Sequence, residues 1–390
     1  MRGLSLGIEM INDLDNRFNE MICELEELIK RICQIPSPTH REGEKAVFIN
    51  QWLHSIGANS YIDDMNNVIF EYGNIDVPLV VFVAHIDTVY SPDTQLTIFE
   101  DEDIIKCPGV NDNSSNVAGL MIGINYFLKQ IIKSRLFVPK HRLCFVFSTC
   151  EEALGNSAGF RFFLSKHQNI KEVVVLDGDY SSILSDAVGS ERYNISISTI
   201  GGHSFREYKK ISAVHVLAKI ICDLYCIDVP FDDSHTITTF NAGVVSGGTS
   251  VTTIASFAQI QCEYRSNRYS NLSYMRNKLF EVIGKYKSNE CTIEVELIGS
   301  RPCSFGVDET KQEKLLNRIE KIYTSILEKS VPRRPRSTDG SISLSMGIPT
   351  TSISIYLGKG NHSESQETLF KDSLPNGMNV LFCLIESYCA

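Results

Sequence analysis

Leu79-Val80-Val81-Phe82-Val83-Ala84-His85, continued by Ile86-Asp87-Thr88, is the stretch on which the fold turns. Its leading residues are apolar at consecutive positions rather than at alternate ones, as a strand covered on both faces requires. The stretch therefore belongs in the interior of a sheet, with helices above and below it. Working outward, strands are expected over 67–72, 142–148 and 172–176, and helical segments over 43–56, 117–132 and 157–165 alternate with them. Upstream, Ile11, Leu14, Phe18, Met21, Ile22, Leu25, Leu28, Ile29 and Ile32 recur at helical spacing. They define one long amphipathic helix, which Pro36 and Pro38 end. This alternation predicts an α/β domain whose mixed, mostly parallel sheet is covered by helices.

From Glu191 the period changes. Residues 193–200 alternate for a half-buried strand, 208–225 read as a helix, 254–263 alternate again, and a helix over 272–285 precedes a strand over 292–297. Two strand-helix-strand units on an antiparallel sheet with one wet face suit a small inserted α+β domain, placed at 190–303. The α/β domain is then discontinuous, 1–189 with 304–390. It resumes with a helix over 309–327, a Pro/Arg-rich turn over 331–340, a strand over 350–356 and a helix over 377–388.

The chain has 390 residues, with 47 Asp+Glu against 37 Lys+Arg and a formal charge of −10. Such acidity argues against a nucleic-acid track. No apolar run reaches the roughly 18 residues of a membrane span, and the N-terminus is too briefly apolar for a signal peptide. The 12 cysteines are scattered with no CxxC pair, which suits buried thiols in a reducing compartment and a cytoplasmic address.

Chemistry concentrates at strand ends. In Ala84-His85-Ile86-Asp87-Thr88, period two puts His85 and Asp87 on one side, so His85 can bind a metal while Asp87 accepts its other ring proton. A core histidine beside a loop aspartate is the plainer reading. Asp112, in Gly109-Val110-Asn111-Asp112-Asn113-Ser114-Ser115 before a helix, can cap that helix or present both oxygens to two cations. Glu151 and Glu152, ending an apolar strand, repel each other and need a cation or a shared proton unless they are solvated. Asp177 ends another strand. His362, in Gly360-Asn361-His362-Ser363, follows a further one. Two imidazoles with three carboxylates suit two divalent cations, zinc ahead of cobalt or manganese, better than calcium or an iron-sulfur cluster.

The ordered set AHIDT, GVNDNSS, TCEEALG, LDGD, GGHSF, GGTSVTTIA, RSTDG and GNHSE resembles the M20 family of metallopeptidases and amidohydrolases, most closely its peptidase T-like (tripeptidase) branch. The resemblance implies a catalytic domain with two bridged metals and an inserted lid that commonly makes a homodimer. It implies that His85, Asp112 and Asp177 hold one ion while Asp112, Glu152 and His362 hold the other, with a hydroxide between them. A strained or cis peptide after Asp112 goes with this. Glu151 would be the general base, Asp87 would orient His85, and the lid residue His203 would bind the oxyanion. Asn241 and Arg265 would receive a substrate carboxylate or carbonyl; a turn amide and an edge salt bridge are their ordinary readings. Arg336 or Arg334 would hold the C-terminal carboxylate of a peptide, and Asp339 would orient a substrate group or cap its turn. One departure stands out: Thr252 occupies the place where the family has asparagine, and it lacks the paired donor and acceptor of an amide.

These readings point to an enzyme that hydrolyses amide bonds in small peptides from the amino end, without nucleic-acid or membrane partners. An N-acyl-amino-acid or N-succinyl-diamino-acid deacylase is the alternative, because the same metals and base cut any well-placed amide. A noncatalytic metal-binding interaction protein is the third reading.

Overall fold

The computed structural model describes residues 2–129, 139–180, 182–231 and 236–389. The chain divides into two compact units, 1–185 with 306–390, and 186–305.

The first unit is built on a six-stranded sheet. Its strands run in the order Tyr61–Ile62, Val68–Tyr72, Arg142–Ser148, Leu79–His85, Ile170–Leu176 and Thr350–Ile353. The last four are mutually parallel, Val68–Tyr72 runs antiparallel to Arg142–Ser148, and Tyr61–Ile62 runs antiparallel to Val68–Tyr72. All seven residues of Leu79–His85 are buried, and it lies between two parallel neighbours, as its unbroken apolarity predicts. Pleating splits the strand between two cores. Val80, Phe82 and Ala84 pack in a cluster with residues of the helices Arg2–Cys33, Ser115–Tyr126, Glu309–Leu327 and Leu374–Glu386. Leu79, Val81 and Val83 pack with Phe160, Phe163 and Ile342 from Ala158–Lys166 and Gly340–Ser345. Burying a Val or Phe side chain contributes about 1.5–3 kcal/mol, so this two-sided strand anchors the layer.

Element types follow the sequence, with instructive exceptions. The helix expected over 117–132 runs over Ser115–Tyr126, and its expected end lies outside the described residues. The Pro/Arg-rich turn is in part a short strand, Arg333–Arg336, paired with Ile183–Ala187. Proline fits there because edge pairing leaves its missing N–H harmless. A second, four-stranded sheet was not foreseen. It joins Gly358–Lys359, Thr368–Phe370, Ile104–Lys106 and Phe99–Glu100, so segments about 250 residues apart in sequence meet.

The second unit carries a four-stranded antiparallel sheet, ordered Thr238–Gly247, Phe257–Ser266, Gly189–Thr199 and Cys291–Arg301. Helices Ala213–Tyr225 and Tyr269–Gly284 cover one face, burying Ile195, Ile197, Ile260, Leu217, Leu279 and Ile283. The helix expected from residue 208 begins at Ala213, because 204–209 form turns. No helix among the described residues is long and apolar enough to cross a membrane. Seven of the twelve cysteines are buried, and all are free thiols.

Candidate metal centre

Three parallel strands end side by side, and each delivers a candidate ligand at its carboxyl end, where α/β sheets open a crevice. His85 closes its strand, Glu151 and Glu152 follow Arg142–Ser148, and Asp177 follows Ile170–Leu176. Asp112 arrives on the turn that leads into the Ser115–Tyr126 helix, and His362 from the segment between Gly358–Lys359 and Thr368–Phe370. Ligand atoms of His85, Asp112 and Asp177 lie within 4.8 Å of one another. The same holds for Asp112, Glu152 and His362, and for His85, Glu151 and Glu152. Asp112 sits between the two histidines: its Oδ1 is 3.1 Å from His85 Nε2 and its Oδ2 is 3.3 Å from His362 Nε2. His362 Nε2 also lies 3.2 Å from Glu152 Oε1. The Asp112–Asn113 peptide is cis.

Asp87 does more than face His85. Nδ1 of His85 is 3.1 Å from the Asp87 carbonyl oxygen and 3.5 Å from its carboxylate Oδ1, so the nearer acceptor is the main chain. The fully buried Asp87 carboxylate instead accepts the successive backbone N–H groups of Glu151 and Glu152, at 2.9 and 3.0 Å, and the Thr39 hydroxyl at 2.9 Å. One aspartate thereby fixes the backbone of both glutamates as well as the histidine ring.

The electrostatics are those of crowded acids. Burial drives Asp177 well above the usual carboxylate range; His85 opposes this, while Asp112, Glu151 and Glu152 add to it. Burial likewise lifts Glu152 to about 7, against its bond with His362 and with help from Asp112 and Glu151. Burial would raise Asp112 too, but hydrogen bonds with His362 and His85 hold it well below the usual range. His362 is pushed up to about 10 by its bonds with Asp112 and Glu152. His85 is raised against the pull of burial by Asp112 and Asp87. Like charges gathered in low dielectric favour whatever cation can enter, and imidazole nitrogens with carboxylate oxygens form the donor set of zinc and its neighbours. The residues therefore fit two divalent cations.

The other expected residues distribute as follows. Asp339 is 1 % exposed at the start of Gly340–Ser345 and accepts the Ser148 hydroxyl at 2.6 Å. Burial, then the Glu151 charge, raises it to about 7. It precedes the helix Gly340–Ser345 without a side-chain cap hydrogen bond, so its carboxylate faces the buried Ser148 rather than its own turn. Arg336 packs against Gly178, next to Asp177, and donates to Asp179 and Ser182, whereas Arg334 is exposed. Of the two arginines, Arg336 is the one beside the cluster.

His203, Asn241 and Arg265 lie in the second unit. His203 is exposed on a two-residue strand opposite Thr253, after Gly201, whose φ of +67° and close approach to the Ile254 carbonyl exclude a side chain. Its Nδ1 accepts the Phe205 and Arg206 N–H groups at 3.2 and 3.4 Å, so the neutral ring carries its proton on Nε2. Asn241 is on the Thr238–Gly247 strand opposite Glu263, not in a turn. Arg265 sits on an interior strand, not an edge, and pairs with Glu263 at 2.8 and 3.1 Å. Thr252 accepts the Ser204 N–H through its carbonyl at 3.0 Å, while its hydroxyl lies 3.1 Å from the Ser250 hydroxyl.

Sequence reasoning missed Glu367. This buried carboxylate receives the backbone N–H groups of Gly109, Asn111 and Asp112. In the sequence it looks like one more member of a polar run, Glu364-Ser365-Gln366-Glu367.

An α/β sheet whose strand ends gather histidines and acids defines a metallohydrolase-like site. The chain belongs to peptidase family M20/M25/M40, whose family model matches residues 81–387. Among solved structures it is similar to the aminopeptidase PepT from Bacillus cereus, at 19 % identity and a TM-score of 0.71, covering 93 % of this chain and 98 % of that one. A tripeptidase from Staphylococcus aureus gives 19 %, 0.73, 94 % and 98 %. The Bacillus subtilis YXEP protein, described as a dinuclear metal binding peptidase of the family, gives 17 %, 0.62, 94 % and 99 %. Curated relatives match over short stretches only. The uncharacterized protein YfbL of Escherichia coli is 27 % identical over 110 residues, 25 % of this chain and 32 % of its own length. A second, from Pyrococcus abyssi, is matched over 18 % of its length.

Proposed function

We propose that the protein is a metal-dependent exopeptidase that cleaves small peptides, as an aminopeptidase or tripeptidase. The observation that carries this reading is the convergence of His85, Asp112, Glu152, Asp177 and His362, from five separate segments, around a shared Asp112. His85, Asp112 and Asp177 would hold one divalent cation, and Asp112, Glu152 and His362 the other, zinc being the first choice. Bound there, the pair would polarise the scissile carbonyl and stabilise the developing oxyanion. Glu151, buried and fixed by Asp87 through its backbone, would take the proton of the attacking water and pass it to the leaving amine. Asp87 would keep the His85 ring turned toward the site. Arg336 would meet the substrate carboxylate, exchanging its contact with the exposed Asp179 for a charge-assisted one. His203, Asn241 and Arg265 are our candidates for further substrate contacts. Similarity to PepT and to a tripeptidase supports a peptide as the substrate. We also place the protein in the cytoplasm as a homodimer formed through the 186–305 unit.

The test is a panel of di- and tripeptides with free or blocked amino ends, assayed beside N-acetyl and N-succinyl amino acids, before and after chelation. Cleavage of free-amino tripeptides that is lost with the metal is the expected result. Exclusive deacylation would overturn the peptidase reading, and silence across the whole panel with metal bound would overturn the enzyme.

A further inference from the structure

Glu367 is 1 % exposed and has no part in the chemistry proposed above. Its Oε1 accepts the N–H groups of Asn111 and Asp112, both at 2.9 Å. Its Oε2 accepts the N–H of Gly109 at 2.8 Å and the hydroxyl of Tyr90. The remaining amide of this turn, that of Val110, is held by the Cys107 carbonyl at 3.1 Å. The whole 109–112 backbone is therefore bonded, three of its four amides to one carboxylate. Gly109 is needed for this path: its φ is +77°, and a Cβ there would come within 2.8 Å of Thr88 Cγ2.

The same short hairpin supplies both sides of the arrangement. His362 and Glu367 lie between the paired strands Gly358–Lys359 and Thr368–Phe370. Asn361, next to His362, accepts a hydrogen bond from the Asn111 side chain at 2.7 Å and donates one to Asp112 Oδ2 at 3.3 Å. The hairpin thus grips the Asp112 turn by backbone and side chain while presenting His362 to the same aspartate.

Placing another anion beside acids that already repel is costly, so a neutral acceptor would serve better if the turn merely needed a staple. A carboxylate offers what an amide cannot: two acceptor oxygens and no donor, able to bind several converging N–H groups at once.

We propose that Glu367 is the positioning residue for Asp112. By fixing the 109–112 backbone against the hairpin that carries His362, it sets the separation of these two ligands and hence the affinity for the cation they share. This rests on the two-cation reading above, and the experiment separates the two ideas. Full-length protein stripped by chelation is titrated with Co2+, followed by visible absorption and calorimetry. Wild-type protein should take up two ions per chain. Glu367→Gln should keep its circular dichroism and bind at least one of the two ions about 10–100-fold more weakly, the range for losing a group that orients a ligand. Tyr90→Phe, which keeps all three amide bonds, should shift that affinity by less than the roughly 10-fold lower end of that range. Unchanged affinity for both ions in folded Glu367→Gln overturns the proposal. So does loss of its fold, since the carboxylate would then serve the fold rather than the site. If wild-type protein binds no Co2+, the two-cation reading itself fails and this proposal with it.

Discussion

Glu152 in the α/β unit and Glu191 in the inserted unit are both buried glutamates near the end of a strand, yet their surroundings move them in opposite directions. Burial raises Glu152 to about 7, and the charges of Asp112 and Glu151 add to this against the opposing pull of His362 and His85. Burial opposes ionisation of Glu191 as well, but Arg276, Tyr264 and Tyr193 all donate to it and hold it below the ordinary glutamate value. Glu191 is complete within its own unit: charge, cation and phenolic hydroxyls close on themselves beneath a hydrophobic sheet face. The acids around Asp112 are not complete in this sense, and what would settle them is a cation from outside. A satisfied buried carboxylate serves the fold, whereas a crowded one marks a place for a ligand.

Substitutions in the two places should therefore report on different quantities. The largest effect is expected from Glu151→Gln, which should retain both cations and the unfolding temperature while kcat/KM on the best tripeptide falls about 10²–10⁴-fold. Full activity would remove Glu151 from its role. His362→Ala should weaken cation binding by more than the roughly 10–100-fold that a group merely orienting a ligand contributes. Calorimetric titration checks this, and unchanged binding would break the contrast at its centre. Glu191→Gln should do the reverse, leaving the metal content alone and lowering unfolding free energy by about 2 kcal/mol in a urea titration, the scale of a hydrogen-bonded charge. The smallest effect is in pH. Because the folded value of Glu191 lies below its unfolded one, its contribution is present above about pH 4.3 and fades as pH falls through the folded value. The stability gap between wild type and Glu191→Gln should accordingly narrow in acid; a gap that widened would reverse the sign assigned to Glu191.

Much of this was legible in the chain. The run Leu79–His85 announces a two-faced strand, and three apolar strands each ending in an acid or histidine announce a crevice. The four-stranded sheet that holds His362 and Glu367 was not, since strands of two or three residues have no period to read. Thr238–Gly247 escaped for another reason: it is a largely exposed edge strand, so burial imposes little alternation on it. Thr338-Asp339-Gly340 looks like any turn, and only the packing of that turn against Ser148 makes Asp339 a buried acid.

The sequence by itself determined the α/β layer, the inserted antiparallel region and the residue types able to bind cations, because periodicity and strand-end chemistry are local properties that each segment carries alone. Tertiary structure decided that Asp112 stands between His85 and His362, that Asp87 holds the glutamates through their backbone, and that Glu367 grips the Asp112 turn. Those relations join residues as far as about 250 positions apart. They depend on which strands pair and in what register, and no single segment specifies that.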